Sequence, residues 1–144
     1  MKPGEKLRVV LDTNVILNAL SPRLPYRVVL QNLLSGDYEL CVTTEILFEY
    51  EEKIAEFYSQ PIATMLLDAF TISSHVQKTE VFFRFNVIAD LDDNKFLDCA
   101  FASNAHYLVS DDKDFRGLKN LGFPKIEWIT LDEFCEILIP NRQQ

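Results

Sequence analysis

The pattern of apolar and polar residues predicts short buried strands that alternate with amphipathic helices. The apolar run Val9–Leu11 has the length of a buried strand, and Tyr38–Thr43 predicts a second strand. Between them, helical spacing runs from about Tyr26 to Leu34 and ends at Gly36. The chain therefore opens with a strand–helix–strand unit.

The same alternation continues to the end of the chain. Thr44 is predicted to cap a helix that ends near Tyr58, and Pro61 to open another. The stretch from 73 to 89 has the weakest pattern, with extended pieces predicted near 81–85. The remaining predicted elements are a helix from Asn94 to about Asn104, strands in 106–110 and 125–130, and a closing helix capped by Thr130 with Glu133 in the capping-box position.

Strands that alternate with helices predict an α/β fold in three layers, with helices on both faces of a parallel sheet of about four to five strands. The 144 residues fit one domain, and no repeat or linker divides residues 1–144. In such sheets, ligands bind beyond the carboxyl ends of the strands, where the strand order reverses. We therefore expect functional side chains directly after the strands.

Composition is that of a soluble globular protein, with 48% hydrophobic and 25% charged residues. The sequence predicts no membrane helix and no signal peptide. Cys41, Cys99 and Cys135 are far apart and lie in apolar contexts, so we interpret them as reduced core thiols of a cytoplasmic protein.

The net charge of −8 argues against a simple nucleic-acid binder, because phosphate backbones favour basic surfaces. If the chain acts on nucleic acid, metal ions or a local basic patch must offset its acidic groups.

Acidic residues cluster where strands end. Asp12 follows the first strand, and carboxylates gathered at strand ends repel one another unless a hard cation lies between them. Mg²⁺ or Mn²⁺ suits such oxygen ligands, and two such ions would serve phosphodiester cleavage. The other two clusters are "DLDDNKFLD", with Asp90, Asp92, Asp93 and Asp98, and "VSDDKDF", with Asp111, Asp112 and Asp114.

Most of these acids also have a purely structural explanation. Asp12 could form an Asx-turn or helix cap, Asp93 could be the N-cap of its helix, and Asp112 lies in a stretch that resembles a loop. Asp90 and Asp92 are expected to be solvated loop charges. Asp98 is the exception, because it flanks the apolar Leu97 and would be an unusual choice there without a partner. A stripe of glutamates at helical spacing predicts a solvated face, from which Glu49 stands out as the member nearest the apolar side; the stripe is Glu45, Glu49, Glu52 and Glu56.

The segments "VVLDTNVIL", "EILFEYEEKI", "DLDDNKFLDCAFASNAHYLVSDDKDF" and "ITLDEFCEIL" together resemble PIN-domain proteins, in the branch of toxins from toxin–antitoxin pairs (VapC-like ribonucleases). The resemblance spans essentially the whole chain. It implies a Mg²⁺- or Mn²⁺-dependent endoribonuclease. By motif, it makes Asp12, Glu49 and Asp112 catalytic and metal-binding acids, oriented by Thr13, Asn14 and Ser110.

The third acid stays open, because many PIN proteins have an acid where this chain has Asn94. Asp93 and Asp98 are both candidates as catalytic and metal-binding residues, and we expect a site that uses both, directly or through water. The resemblance also implies an RNA substrate, a homodimer and a cognate antitoxin.

Basic residues that lead away from the strand ends are expected to form an RNA-binding rim, although each could be a scattered surface charge. These residues are Arg23, Arg27, Lys95, Lys113 and Arg116.

Two alternatives remain at this stage. A receiver-like signalling domain also gathers acids around Mg²⁺, but it requires an acid pair near the first strand, and this chain has a single Asp there. The other alternative is a PIN fold that binds RNA or protein without cleaving it.

Overall fold

The computed structural model describes residues 4–86, 88 and 90–143. The strands are β1 (Arg8–Leu11), β2 (Glu39–Val42), β3 (Val76–Lys78), β4 (Tyr107–Val109) and β5 (Trp128–Ile129). The helices are α1 (Thr13–Leu20), α2 (Arg27–Leu34), α3 (Thr44–Phe57), α4 (Gln60–Ile72), α5 (Asn94–Ala102) and α6 (Leu131–Gln143). Two 3₁₀ segments lie at Leu91–Asp93 and Lys113–Asn120.

The five strands form one parallel sheet in the order β3-β2-β1-β4-β5. Helices cover both faces, which confirms the predicted three-layer α/β/α architecture. The chain adds β2 and β3 on one side of β1 and then places β4 on the other side. The carboxyl ends of β1 and β4 therefore lie where the strand order reverses, which is the usual ligand position in such sheets.

The sheet interior explains why the central strands are continuous apolar runs. Val9, Val10 and Leu11 have no exposed surface, and neither do Leu108 and Val109 in the neighbouring strand. Strands covered on both faces bury every side chain, so they lack alternation between apolar and polar positions.

Several boundaries differ from the sequence prediction. Helix α1 was not predicted, because it has only eight residues and follows β1 after a single residue, so its apolar positions continue those of the strand. The third strand is Val76–Lys78, whereas 81–85 is irregular. Thr43, not Thr44, caps α3, and Ser59 caps α4 before Pro61.

Two local predictions are confirmed. Thr130 and Glu133 form the reciprocal hydrogen bonds of a capping box at the start of α6. Cys41, Cys99 and Cys135 are free thiols in buried positions.

Within the described part of the chain, no helix combines the length and the apolar character needed to span a membrane.

Candidate metal centre and active site

Asp12 follows β1 directly and is 6% exposed. Its backbone N–H donates to the carbonyl of Val109 at 3.0 Å, which ties it to the end of β4. The Ser110 hydroxyl donates to Asp12 Oδ2 at 2.6 Å, and the Ser110 carbonyl accepts from Trp128 Nε1 at 2.8 Å. Adjacent strand ends therefore fix this carboxylate from two sides.

Asp12 occupies the N-cap position of α1, yet its side chain makes no N-cap hydrogen bond. Burial raises the pKa of its carboxyl group, and the nearby charges of Asp112 and Glu49 raise it further. Hydrogen bonds from Ser110 and from the Thr13 backbone oppose this rise. The structure thus holds Asp12 where its charged form is disfavoured without a further cation.

Asp112 follows β4 and shares the Ser110 hydroxyl with Asp12. The Asp112 backbone N–H donates to Ser110 Oγ at 2.9 Å, so this hydroxyl links the two acids. Asp112 Oδ1 accepts from the Asp114 backbone N–H at 2.9 Å, which forms the turn into the following 3₁₀ segment.

Asp93 lies at the start of α5 and has the most perturbed carboxylate of the site. It is 8% exposed, and its Oδ2 is buried with no hydrogen-bond partner among the described residues. Burial, together with the charges of Asp112 and Asp12, raises its pKa to about 7. Like Asp12, it occupies an N-cap position without making the cap hydrogen bond.

Among the residues that the structure describes, one group of acids is compact enough to hold a cation. Carboxylate oxygens of Asp90, Asp93 and Asp114 all lie within 4.8 Å of one another. Asp90 and Asp114 were not singled out from the sequence. The available signal was their place in the two acid-rich runs, but sequence does not show which way the exposed members of such runs point.

Glu49 lies on α3, and its two oxygens have different partners. Oε2 accepts from the Thr13 hydroxyl, and Oε1 pairs with Lys95 Nζ at 2.7 Å. Lys95 is 8% exposed and also donates to the Asp92 carbonyl at 2.7 Å. Lys95 is therefore mostly buried beside Glu49, and its predicted contact with RNA stays a prediction.

Asp98 lies apart from the acids around Asp93. It is 2% exposed, its Oδ1 accepts from the Phe85 backbone N–H at 3.1 Å, and its Oδ2 has no partner among the described residues. Burial raises its pKa, and its nearby charges are Arg84 and Glu45. One turn earlier, Asn94 bonds both backbone groups of Ile88. These hydrogen bonds with Asn94 and Asp98 fix the backbone of the preceding segment against α5.

The other predicted residues lie at the surface. Asn14 is exposed and makes no hydrogen bond to an acid within the described ranges, unlike Thr13 and Ser110. The four remaining basic residues are also exposed, and none is in an ion pair with a residue that the structure describes; they are Arg23, Arg27, Lys113 and Arg116.

Residues 8–114 match the PIN domain, and the chain belongs to the PIN-domain family. The strand order supports this, because receiver-like proteins have the order 2-1-3-4-5. The receiver-like alternative is therefore wrong. No curated protein matches the chain.

Solved structures with the same fold share little sequence with this chain. VapBC2 from Rickettsia felis, bound to a DNA fragment from its promoter, is 16% identical with a TM-score of 0.58, covering 86% of this chain and 98% of that chain. VapC20 from Mycobacterium tuberculosis, a sarcin–ricin loop cleaving toxin, is 12% identical with a TM-score of 0.57, covering 82% and 98%. FitAcB from Neisseria gonorrhoeae is 15% identical with a TM-score of 0.52, covering 85% and 97%.

The raised pKa of Asp93 predicts how stability depends on pH without metal. Its pKa is about 7 in the folded chain against 3.8 for an ordinary Asp, so between these values the folded state binds more protons than the unfolded state. The free energy of unfolding should therefore fall as pH rises through this window. Asp93→Asn should raise the free energy of unfolding at pH 8 by on the order of 1–2 kcal/mol, after allowance for solvent screening.

Urea unfolding in EDTA at low and high pH measures this effect. Asp37→Asn, an exposed carboxylate at the opposite end of the strands, is the matched control and should change little. A gain in stability with rising pH that depends on Asp93 would contradict the prediction.

Proposed function

We propose that this protein is a divalent-metal-dependent endoribonuclease that hydrolyses RNA phosphodiester bonds. The observation that carries the proposal is the Asp93 carboxylate, which is buried beside the charges of Asp12 and Asp112 and has one oxygen without a hydrogen-bond partner among the described residues. A buried carboxylate without a partner is costly, and a hard cation compensates several carboxylates at once.

The residues fit Mg²⁺ or Mn²⁺, because every candidate ligand is a carboxylate oxygen. Asp12, Asp93 and Asp112 would hold the metal, and Asp90 and Asp114 extend the ligand set on the exposed side. When bound, such a cation would lower the pKa of a water molecule and neutralise charge on the phosphate that it attacks.

The chain's own residues position this chemistry. Ser110 orients Asp12 and the backbone of Asp112 with one hydroxyl, and Thr13 orients Glu49. Lys95 supplies an ammonium group beside Glu49, where an RNA phosphate could contact it. Arg23, Arg27, Lys113 and Arg116 are free to contact further phosphates, which would offset the acidic charge of the molecule.

We further propose that the chain is the cytoplasmic toxin of a toxin–antitoxin pair, acts as a homodimer and has a cognate antitoxin. Support comes from the motifs of the PIN family and from the names of structural relatives, which include a VapBC complex and a toxin that cleaves the sarcin–ricin loop.

Asp12→Asn and Asp112→Asn should each abolish RNA cleavage while the protein remains folded, since removing one of several repelling carboxylates does not weaken the metal-free fold. The measurement is cleavage of labelled RNA in Mn²⁺, with circular dichroism as the folding check and Asp37→Asn as an active control. If both site variants still cut RNA at the wild-type rate, the enzyme proposal fails. If wild type binds RNA without cutting it, the non-catalytic alternative is correct.

Whether Asp93 or Asp98 is the third acid determines which variant loses the rise in melting temperature that Mn²⁺ causes. A metal that binds only the folded state raises the melting temperature by mass action. Asp93→Asn should remove most of this rise, whereas Asp98→Asn should keep it, because Asn retains an acceptor for Phe85 and Asp98 lies apart from the other acids. Thermal melts with and without Mn²⁺ make the comparison. The reverse result would assign the metal to Asp98.

A further inference from the structure

We propose that a groove beside the metal centre is a nucleobase-binding subsite, in which the ring of Phe82 stacks on an unpaired base of single-stranded RNA. The groove has a volume of about 420 Å³, within the usual range for small-molecule sites. This inference rests on the proposed function, since it concerns the nucleotide next to the cleaved bond.

Lys95 connects the groove to the acidic centre. It lines the groove, and its Nζ also contacts Glu49 Oε1 at 2.7 Å. The groove further includes Thr43, at the end of β2, and Lys78, at the end of β3. It therefore continues along the same carboxyl edge of the sheet on which the acids lie. A strand of RNA with a phosphate at the metal centre would pass its neighbouring nucleotide into this groove.

The backbone that carries Phe82 is fixed on both sides. Before it, the Thr79 N–H donates to the Val42 carbonyl at 2.7 Å. After it, Phe83 packs edge-on against Phe85 and Phe101 with ring centroids 4.9 and 5.4 Å away, and the Phe85 N–H donates to Asp98. Asp98 is thus a positioning residue for this segment.

Phe82 itself differs from its aromatic neighbours. Its side chain is 88% exposed, whereas Phe83 is 37% exposed. An exposed aromatic ring on a backbone that is held on both sides is suited to stacking, because its face is open to a base. Every base has a flat aromatic face, so an exposed phenylalanine ring can stack on any of the four bases.

The charges of the groove also suit RNA better than those of the neighbouring centre. Its lining has three basic side chains, Lys78, Arg84 and Lys95, against three acidic ones, Glu45, Glu80 and Asp98. The whole chain carries a net charge of −8, and the centre around Asp93 is acidic. A phosphate that flanks the stacked base therefore meets cations without the surrounding excess of negative charge.

Unpaired RNA is the occupant favoured by these features. A base inside a duplex is already stacked and hides its faces, whereas single-stranded segments present them to aromatic side chains. The expected preference is for single-stranded over double-stranded RNA of the same sequence.

The test compares a fluorescein-labelled single-stranded RNA with an abasic ribose-phosphate strand of equal length, in Ca²⁺ to prevent cleavage. Phe82→Ala should weaken RNA binding by about tenfold and leave binding of the abasic strand unchanged. Phe82→Trp should keep the affinity, because it retains an aromatic face. Phe57→Ala, an exposed phenylalanine at the end of α3, is the matched control and should have no effect. The salt dependence should be the same in wild type and Phe82→Ala, because no phosphate contact is lost.

The possible results separate this proposal from the proposed function. Unchanged RNA affinity in Phe82→Ala, with cleavage intact, would overturn the subsite and leave the nuclease; the exposed ring would then be assigned to a protein partner. Equal losses for RNA and the abasic strand would show that the segment contacts the backbone and not a base, which also overturns the subsite. Failure of wild type to bind either strand would overturn both proposals. Circular dichroism confirms that each variant is folded.

Discussion

The repulsion between carboxylates at the carboxyl ends of β1 and β4 is the constraint on which this site depends. Burial disfavours the charged forms of Asp12 and Asp93, and the nearby charge of Asp112 adds to this effect in both. The protein relieves the repulsion only in part. The Ser110 hydroxyl donates a hydrogen bond to Asp12, and Lys95 forms an ion pair with Glu49. Asp93 Oδ2 has no such partner in the described part of the chain, and the proposed cation would supply one.

The surrounding architecture keeps these acids from moving apart. Strands β1 and β4 are buried on both faces, so the residues that follow them begin from fixed positions. On α5, Asn94 and Asp98 hold the preceding segment through its backbone groups. Polar side chains at helix starts elsewhere, such as Thr43 and Ser59, make cap hydrogen bonds, whereas Asp12 and Asp93 do not. This difference supports the proposal that these two aspartates bind the metal, because neither caps its helix.

Sequence predicted the sheet and the strand-end acids well, because buried parallel strands are short apolar runs and polar residues directly after them stand out. Asp12 and the motif around Asp112 could be identified in this way. Helix α1 could not, since it has only eight residues and follows β1 after a single residue, so the pattern does not separate the helix from the strand.

The direction in which each side chain points was the other feature that could not be predicted from the sequence. Lys95 lies two residues from Asp93 and was expected at the rim, yet helical geometry turns it inward to Glu49. Asp98 follows Asp93 by five residues, which places it on another face of α5 and beside Phe85. Asp90 and Asp114 come near Asp93 through turns that no periodicity encodes.

The central claim is that a divalent cation compensates the buried carboxylate of Asp93. Metal binding near pH 7 must then displace the proton from the fraction of molecules in which Asp93 is protonated, since its pKa is about 7 in the metal-free protein. Calorimetric titration of Mn²⁺ near this pH, repeated in buffers that differ in ionisation enthalpy, measures the protons released. The account predicts proton release in wild type that is lost in Asp93→Asn. Binding without proton release, or release unchanged in Asp93→Asn, would contradict it.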